Sequence, residues 1–324
     1  MKPRRVALAP RLAALAAVAL WGVSFVATKA ALGELSPITL IFSRFTLGVI
    51  VLFLILTFKH DLFIPPRSAW PMLWLMGFVG IFVHQMLQVH GLTLTTAIRT
   101  GWLIGLIPIW SSVLAAIFLG EAFGARKVVG LVLGTMGAIL VITRGELSSR
   151  VLALPTTRGD LFILASTINW AIYTILGRET LKRVGSSVAT AVAMALGWIM
   201  LIPFFVHAAG WQEFRSVSAT GLMAVVFLGG GCSGLGYLFW YAALERLEAS
   251  QVAAFLHLEP LVTLVAAVAL LGEAVAVSTI LGGVLVVVGV LTVQSANSQE
   301  TPNQRLQPSA TGARVSRRAA TRGR

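Results

Sequence analysis

The sequence contains few charged residues. Asp, Glu, Lys and Arg make up 11% of its 324 residues, whereas a soluble domain usually carries about 25%. A soluble globule of this size with so few charged residues would not have enough polar surface to cover its core. The scarcity of charge therefore excludes an ordinary soluble domain.

Features typical of several enzyme classes are also missing. The single cysteine, Cys232, lies in an apolar block, which excludes an intrachain disulfide and suggests no cysteine-based metal site. No Gly-x4-Gly-Lys-Ser/Thr loop and no His-Glu-x-x-His pattern occurs. We therefore predict no catalytic residues, no cofactor and no metal, and we do not expect this chain alone to use ATP.

Apolar residues, in contrast, make up 57% of the chain and come in blocks of about 20. A helix of that length crosses about 30 Å of hydrocarbon, and a lipid-facing backbone must pair internally. We predict an all-α integral membrane protein with ten transmembrane helices. The predicted spans are 12–32, 38–58, 70–90, 95–119, 127–143, 160–177, 188–208, 219–243, 249–271 and 275–294.

Basic residues are distributed unevenly between the two sides of the predicted membrane domain. Ten helices place both termini on one side, and that side carries 18 Lys and Arg residues against 4 on the other. The positive-inside rule then predicts a multi-pass protein of the bacterial inner membrane with both termini in the cytoplasm. Residues 295–324 are polar and Arg-rich, and we expect a disordered basic cytoplasmic tail. The net charge of +13 is thus no sign of a nucleic-acid partner.

An internal repeat divides the chain into two halves. Residues recur at an offset of 152: Pro108 and Pro260, Leu119-Gly120-Glu121 and Leu271-Gly272-Glu273, Gly130 and Gly282, Gly137 and Gly289; Trp21 and Trp170 match at 149. Five helices per half, an odd number, mean that the second half enters the membrane from the opposite side. Such inverted repeats place a substrate site near the midplane between the halves.

These residues give the chain a resemblance to EamA-type permeases of the drug/metabolite transporter superfamily, covering residues 12–294. The resemblance rests on Trp21-Gly22 with Ser24-Phe25, on Arg44, and on the duplicated Pro…Leu-Gly-Glu pattern. It implies two inverted EamA-like five-helix repeats, at 12–143 and 160–294, and export or exchange of metabolites. It implies no single substrate.

Charges within the predicted spans are the first candidates for substrate binding, because each costs about 2.5–3.5 kcal/mol at a helix centre. Glu259 precedes Pro260 near the middle of a span. It is interpreted as a cavity carboxylate that binds a cationic group or takes up a proton. The alternative is a neutral carboxylic acid that is hydrogen-bonded between packed helices.

Three basic residues, Lys29, Arg44 and Arg99, lie toward the predicted outer ends of their helices. Facing inward, they would form a positive vestibule that favours an anion. Two alternatives remain: Lys29 and Arg99 extend to the membrane interface, or Asp160 and Glu34 neutralise the cations.

Polar and aromatic side chains complete the set of candidate substrate-binding residues. They share positions inside the spans, where polar groups face protein or water rather than lipid. They are Trp21, His84, Gln88, Asn169, Trp170, Tyr173, Trp240, Tyr241 and His257. For the aromatic residues, ordinary packing or interface anchoring is the alternative. The repeated Leu-Gly-Glu is interpreted as structural, with glycine ending one helix and glutamate standing at the start of the next.

The sequence thus predicts a secondary transporter, in the direction of export, for small metabolites such as amino acids or for amphipathic drugs. Alternating access between the inverted repeats is the expected mechanism. The alternative is a membrane-embedded enzyme or a lipid-handling protein. The expected partners are a small-molecule substrate and the lipid bilayer, and a homodimer is left open.

Overall fold

The computed structural model describes residues 8–120, 123–146, 148, 154–244 and 255–304, and these ranges contain helices and no strands. Short 3-10 helices cover Gly210–Arg215 and Phe255–Leu258. The longer helices are α1 Leu8–Ala31, α2 Pro37–Phe58, α3 Arg67–Leu94, α4 Ala97–Ile104, α5 Ile107–Leu119, α6 Ala125–Thr143, α7 Pro155–Val184, α8 Ser186–His207, α9 219–244, α10 Glu259–Leu271 and α11 Val277–Gln304.

The described part of the chain holds nine helical segments that are long and apolar enough to cross a membrane, with α4 and α5 counted as one. Helix α10 is apolar but has only 13 residues, and residues 245–254 before it lie outside the described ranges. The prediction of an all-α integral membrane protein is confirmed.

Three predicted spans differ from the helices observed. The span 95–119 is broken at Gly105 and Leu106, because Pro108 lacks the amide that would continue the helical hydrogen bonding. Helix α7 has 30 residues rather than the 18 of span 160–177. Helix α11 continues to Gln304, so residues 295–304, assigned to the disordered tail, are helical; no glycine or proline interrupts residues 290–301. Residues 305–324 of the predicted tail lie outside the described part.

The internal repeat is visible in helices α5 and α10. Both have 13 residues, both carry proline in the first turn, and their bounds differ by the offset of 152. Each ends on a glycine in the left-handed region, Gly120 at φ 66° and Gly272 at φ 62°, a conformation that disfavours other residues. The repeated tripeptide therefore ends a helix in each half, as predicted.

The repeated glycines form a contact that we call the glycine seam, between α6 and α11. Gly130 lies against Gly289, and Gly137 lies against Gly282. A methyl group added to Gly130 or Gly137 would lie 2.5 Å from the carbonyl oxygen of the facing glycine. Because the earlier glycine of one helix meets the later glycine of the other, the two helices run antiparallel. Corresponding helices of the two halves therefore point in opposite directions.

The two halves also interleave away from the seam. Helices α1 and α2 of the first half pack against α9 of the second, and α3 packs against α7 and α8. Close approaches again involve glycine: Gly77 of α3 meets the backbone of α8, and Gly229 of α9 meets the carbonyl of Arg44 in α2. The halves thus form one helical body rather than two separate domains.

The glycine seam gives a stability prediction. Gly137→Ala should lower the unfolding midpoint, because the overpacking penalty of about 1–3 kcal/mol exceeds the gain of about 1 kcal/mol in helix propensity. Gly230→Ala is the matched control, since a methyl group there meets nothing within 4 Å. Thermal unfolding of the purified protein in detergent measures both. A Gly137→Ala protein as stable as the parent would show that the seam is not tightly packed.

Candidate functional site

A cavity of about 540 Å³ lies between two buried apolar clusters. One cluster is centred on α2, α3 and α8, and the other on α4, α5 and α11. The wall takes Phe45 and Ile81 from the first cluster and Phe25, Ile104 and Val286 from the second. The cavity therefore lies where the two clusters face each other, with a size typical of sites for small molecules.

The cavity extends toward one face of the membrane domain. We call the face where α1 begins the N-terminal face, and the other the distal face. The lining continues to Leu181 near the end of α7, Ser186 at the start of α8 and Gln294 in α11, all toward the N-terminal face. Toward the distal face, the last residue of α1 that lines the cavity is Phe25, and the last residue of α3 that lines it is Gln88. As lined by the described residues, the cavity thus extends closer to the N-terminal face than to the distal face.

Two stretches of π-helix lie beside the cavity, Gly77–Val83 in α3 and Phe227–Leu235 in α9. At the end of each stretch, the next backbone amide donates to the carbonyl five residues earlier. The amide of His84 bonds the carbonyl of Val79, and the amide of Gly236 bonds the carbonyl of Gly231. These stretches overlap at the repeat offset of 152. Because π-helix is rare and concentrates at functional sites, this paired irregularity marks the cavity wall as specialised.

Each π-helical stretch receives a hydrogen bond from the other half. The indole Nε1 of Trp21 in α1 donates to the carbonyl of Cys232 in α9 at 3.1 Å. The Nδ2 of Asn169 in α7 donates to the carbonyl of Val79 in α3 at 2.7 Å. Trp21 and Asn169 therefore stabilise the widened turns, and of the two only Trp21 also lines the cavity.

Arg44 lines the cavity with part of its guanidinium uncommitted. Its Nε donates to Ser233 Oγ at 3.0 Å, and its Cζ lies 5.6 Å from the centre of the Phe45 ring. Within the described ranges, no carboxylate lies within 4 Å of it. The terminal amino groups are therefore free to bind a planar anion such as a carboxylate in a bidentate manner.

Glu259 lines another part of the cavity, at the first residue of α10. Near Glu259, the hydroxyl of Thr263 donates to the backbone carbonyls of both Glu259 and Gly22 at 2.9 Å. The carboxylate itself accepts no hydrogen bond and forms no ion pair with the described residues. The hydrogen bond expected of a neutral acid packed between helices is likewise not seen among the described residues.

His84 and Gln88 line the cavity as a linked pair. His84 Nδ1 lies 3.2 Å from the carbonyl of Ser166, which only accepts, so Nδ1 carries the proton. Nε2 then accepts from Gln88 Nε2 at 3.4 Å. Both nitrogens of His84 are therefore occupied. Gln85, next in sequence, also lines the cavity, and its buried side-chain oxygen has no partner in the described part of the chain.

Aromatic rings form two groups on the cavity wall. Trp21 packs against Tyr237 and Trp240, with ring centres 5.5 and 5.2 Å away. Trp170 packs between His84 at 4.7 Å and Tyr173 at 4.9 Å. The two tryptophans are the pair that the repeat aligned, and each packs against at least one ring from the other half. These surfaces suit apolar or aromatic portions of a solute.

Eight of the predicted substrate-binding residues line the cavity: Trp21, Arg44, His84, Gln88, Trp170, Tyr173, Trp240 and Glu259. The side chains of Tyr241 and His257 lie outside the described part of the chain. Ser233 and Tyr237, which also line the wall, were not predicted. Ser233 lies in the glycine-rich run 227–236, and Tyr237 directly follows it. The composition of that run indicates close packing, and nothing in it signals the π-helical turn that positions them.

Lys29, Arg99 and Asn169 do not line the cavity in this structure, so a positive vestibule formed by three cations is not seen. Lys29 Nζ instead donates to the carbonyls of Leu92 at 2.7 Å and Thr95 at 2.6 Å, at the end of α3. Arg99 forms a buried bidentate ion pair with Asp160, and its Nη2 also donates to the Ile142 carbonyl. A guanidinium 4% exposed needs such compensation.

Four carboxylates on the distal side each bond across the two halves. Asp160 of α7 pairs with Arg99 and accepts from Thr95. Glu213 accepts from Ser36 and Thr39 at the start of α2. The other two are Glu34, which accepts from Ser218 at the start of α9, and Glu273, which accepts from the amides of Ala97 and Ile98 at the start of α4. These contacts hold the distal ends of the two halves together.

Two of these contacts qualify sequence-based interpretations. Among the described residues, Glu34 forms no ion pair with a basic residue; the hydroxyl and amide of Ser218 lower its pKa and keep it charged. Glu273 caps α4 rather than the helix that follows it, although its role is structural as predicted. Its counterpart Glu121 lies outside the described part.

A multi-helix membrane fold with an internal cavity between two related halves is the architecture found in many transporters with inverted repeats. The model of the EamA-like transporter family matches residues 10–143 and 157–294. The chain belongs to that family. The predicted class of transporter, rather than enzyme, is thereby confirmed.

Several known proteins are similar over nearly their whole length. An uncharacterized transporter of Archaeoglobus fulgidus is 31% identical, with 84% of this chain and 92% of that protein aligned. The uncharacterized transporter YyaM of Bacillus subtilis is 29% identical, with 84% and 88% aligned. A protein of Streptantibioticus cattleyicolor named a probable terminal-alkyne amino-acid exporter is 27% identical, with 85% and 90% aligned.

A solved crystal structure shares the fold. It superposes with a TM-score of 0.63 at 21% identity, covering 88% of this chain and 97% of that chain. A sequence identity of 21% supports a shared architecture and nothing further.

The Arg99–Asp160 pair gives a coupling prediction. Asp160→Asn should destabilise the protein by roughly 3–5 kcal/mol, because Arg99 would keep a buried, unpaired charge. Adding Arg99→Met should restore much of that loss, since the charge is then removed. Unfolding by denaturant in detergent measures the double-mutant cycle, with Glu146→Gln, at an exposed distal position, as the control. Strictly additive losses for the two variants would contradict the pairing.

Proposed function

We propose that this protein is a secondary transporter that exports small amphipathic metabolites, with amino acids and related compounds as the leading class. The observation that carries the proposal is the cavity between the halves, in which one cation, one carboxylate and two aromatic groups face a common space. The relative named as an amino-acid exporter supports this class of solute.

The arrangement of contacts supports an alternating-access mechanism. The cavity approaches the N-terminal face, while carboxylate contacts across the halves hold the distal face together. Inverted repeats work by moving one half against the other around a central site. In the proposed cycle the distal contacts break as the solute is released, and the N-terminal side closes.

The direction of transport depends on membrane orientation. The distribution of Lys and Arg favours a cytoplasmic N-terminal face, with both termini inside. With that orientation, the cavity of this structure faces the cytoplasm. A solute would then load from the cytoplasm, as export requires.

The proposal predicts solute movement in liposomes that contain only this protein. Counterflow with a panel of labelled amino acids and amphipathic amines should give uptake above protein-free liposomes for at least one solute. Absence of counterflow across the whole panel, from protein that is monodisperse and folded, would contradict the proposed function.

Glu259 is predicted to take part in that movement. Glu259→Gln should lower the counterflow rate by about tenfold or more, the size of a lost charge-assisted hydrogen bond, and should flatten its dependence on pH because a titratable group is removed. Glu146→Gln, the same change at an exposed position, should leave the rate unchanged. An unaltered rate together with an unaltered pH profile in Glu259→Gln would exclude Glu259 from the mechanism.

A further inference from the structure

The cavity contains one positive and one negative side chain that do not pair with each other. Arg44 and Glu259 are the charged residues among those lining it in the described part of the chain. No salt bridge within 4 Å joins them, and the ion pair found among the described residues is Arg99–Asp160 elsewhere. The cavity thus holds one guanidinium and one carboxyl group that do not pair with each other.

Trp21 lines the same cavity as Arg44 and Glu259, and its part of α1 contacts the segments around both. Arg44 bonds Ser233, and the neighbouring Cys232 accepts the hydrogen bond from Trp21 Nε1. Gly22, the next residue in α1, packs against the start of α10. A methyl group added to Gly22 would lie 3.0 Å from the backbone carbonyl oxygen of Glu259. Successive residues of α1 therefore contact the segment that holds Ser233, the partner of Arg44, and the segment that begins with Glu259.

The chemistry of the uncommitted atoms differs on the two sides. The terminal amino groups of Arg44 are donors in a planar fork, which matches a carboxylate. The Glu259 carboxylate has no donor from the described residues, so it can accept from an ammonium group. The indole nitrogen of Trp21 is already hydrogen-bonded, which leaves its ring faces for apolar groups or for a cation.

An isolated charge inside a membrane protein is unfavourable unless an opposite charge compensates it. A solute with a single negative charge would compensate Arg44 and leave Glu259 unpaired. A solute with a single positive charge would compensate Glu259 and leave Arg44 unpaired. Only a solute that carries both charges compensates both side chains at once.

We propose that the cavity selects zwitterions, with the solute carboxylate on Arg44, its ammonium on Glu259, and its apolar portion against the Trp21–Tyr237–Trp240 group. This inference rests on the proposed function and narrows it. Amino acids with apolar or aromatic side chains satisfy the requirement, whereas simple amines and simple carboxylic acids do not.

Two sets of matched probes test the selection at pH 7. The first is phenylalanine, 3-phenylpropanoate and 2-phenylethylamine, which share an aromatic tail and differ in head-group charge. The second is leucine, 4-methylpentanoate and 3-methylbutylamine. Binding of each probe to the purified protein is measured by isothermal titration, alongside the liposome counterflow panel.

The native protein should bind the zwitterion of at least one set about tenfold or more tightly than either singly charged analogue. Arg44→Gln should shift the ratio of amine to zwitterion affinity about tenfold toward the amine. Glu259→Gln should shift the ratio of carboxylate to zwitterion affinity about tenfold toward the carboxylate. A purely structural role would lower all three affinities together, so these opposite shifts are specific.

Arg215→Gln and Glu146→Gln, at exposed distal positions, are the matched controls and should leave the affinity ratios unchanged. Arg44→Lys, which keeps the charge, should retain the zwitterion preference if Arg44→Gln proves unstable.

Equal or tighter binding of a singly charged analogue in both sets, or parallel losses in the two Gln variants, overturns the inference. If counterflow of other solutes persists in that case, the proposed function stands; if no solute moves, the proposed function fails.

Discussion

The glycine seam between α6 and α11 is the constraint on which the rest of the structure depends. Gly130 and Gly137 meet Gly289 and Gly282 so closely that no side chain fits between the helices. Because these helices correspond in the two halves and run antiparallel, the contact fixes the inversion of one half relative to the other. That inversion puts α1 against α9 and α7 against α3, and so positions the cavity between them.

The cavity wall combines backbone irregularity with support from the opposite half. Each half widens one helix into a π-helical turn, and a first-helix residue of the other half, Trp21 or Asn169, bonds a carbonyl in that turn. Polar groups in a membrane interior need such partners. At the cavity, the terminal amino groups of Arg44 meet no carboxylate and the Glu259 carboxylate forms no ion pair in the described part of the chain, so both can interact with a solute.

Sequence periodicity and the repeat were sufficient to predict most of the helices, the inversion and eight of the residues that line the cavity. Long apolar blocks give the spans, and the recurring Pro and Leu-Gly-Glu give α5 and α10. The partners of the buried arginines were harder to predict, because Arg99 and Arg44 look alike in sequence. Arg99 pairs with Asp160, whereas Arg44 meets no carboxylate among the residues that the structure describes. Ser233 and Tyr237 could not be predicted, since a π-helical turn changes which residues share a face and the glycine-rich run gives no sign of it.

The most direct test of this account is the relative direction of α6 and α11. Spin labels at positions 125 and 295, and at 125 and 277, in a Cys232→Ala background, give two distances by double electron–electron resonance. Antiparallel helices rising about 1.5 Å per residue predict that the 125–295 distance is at least about 10 Å shorter than the 125–277 distance. Equal distances, or the reverse order, would contradict the inverted arrangement of the two halves.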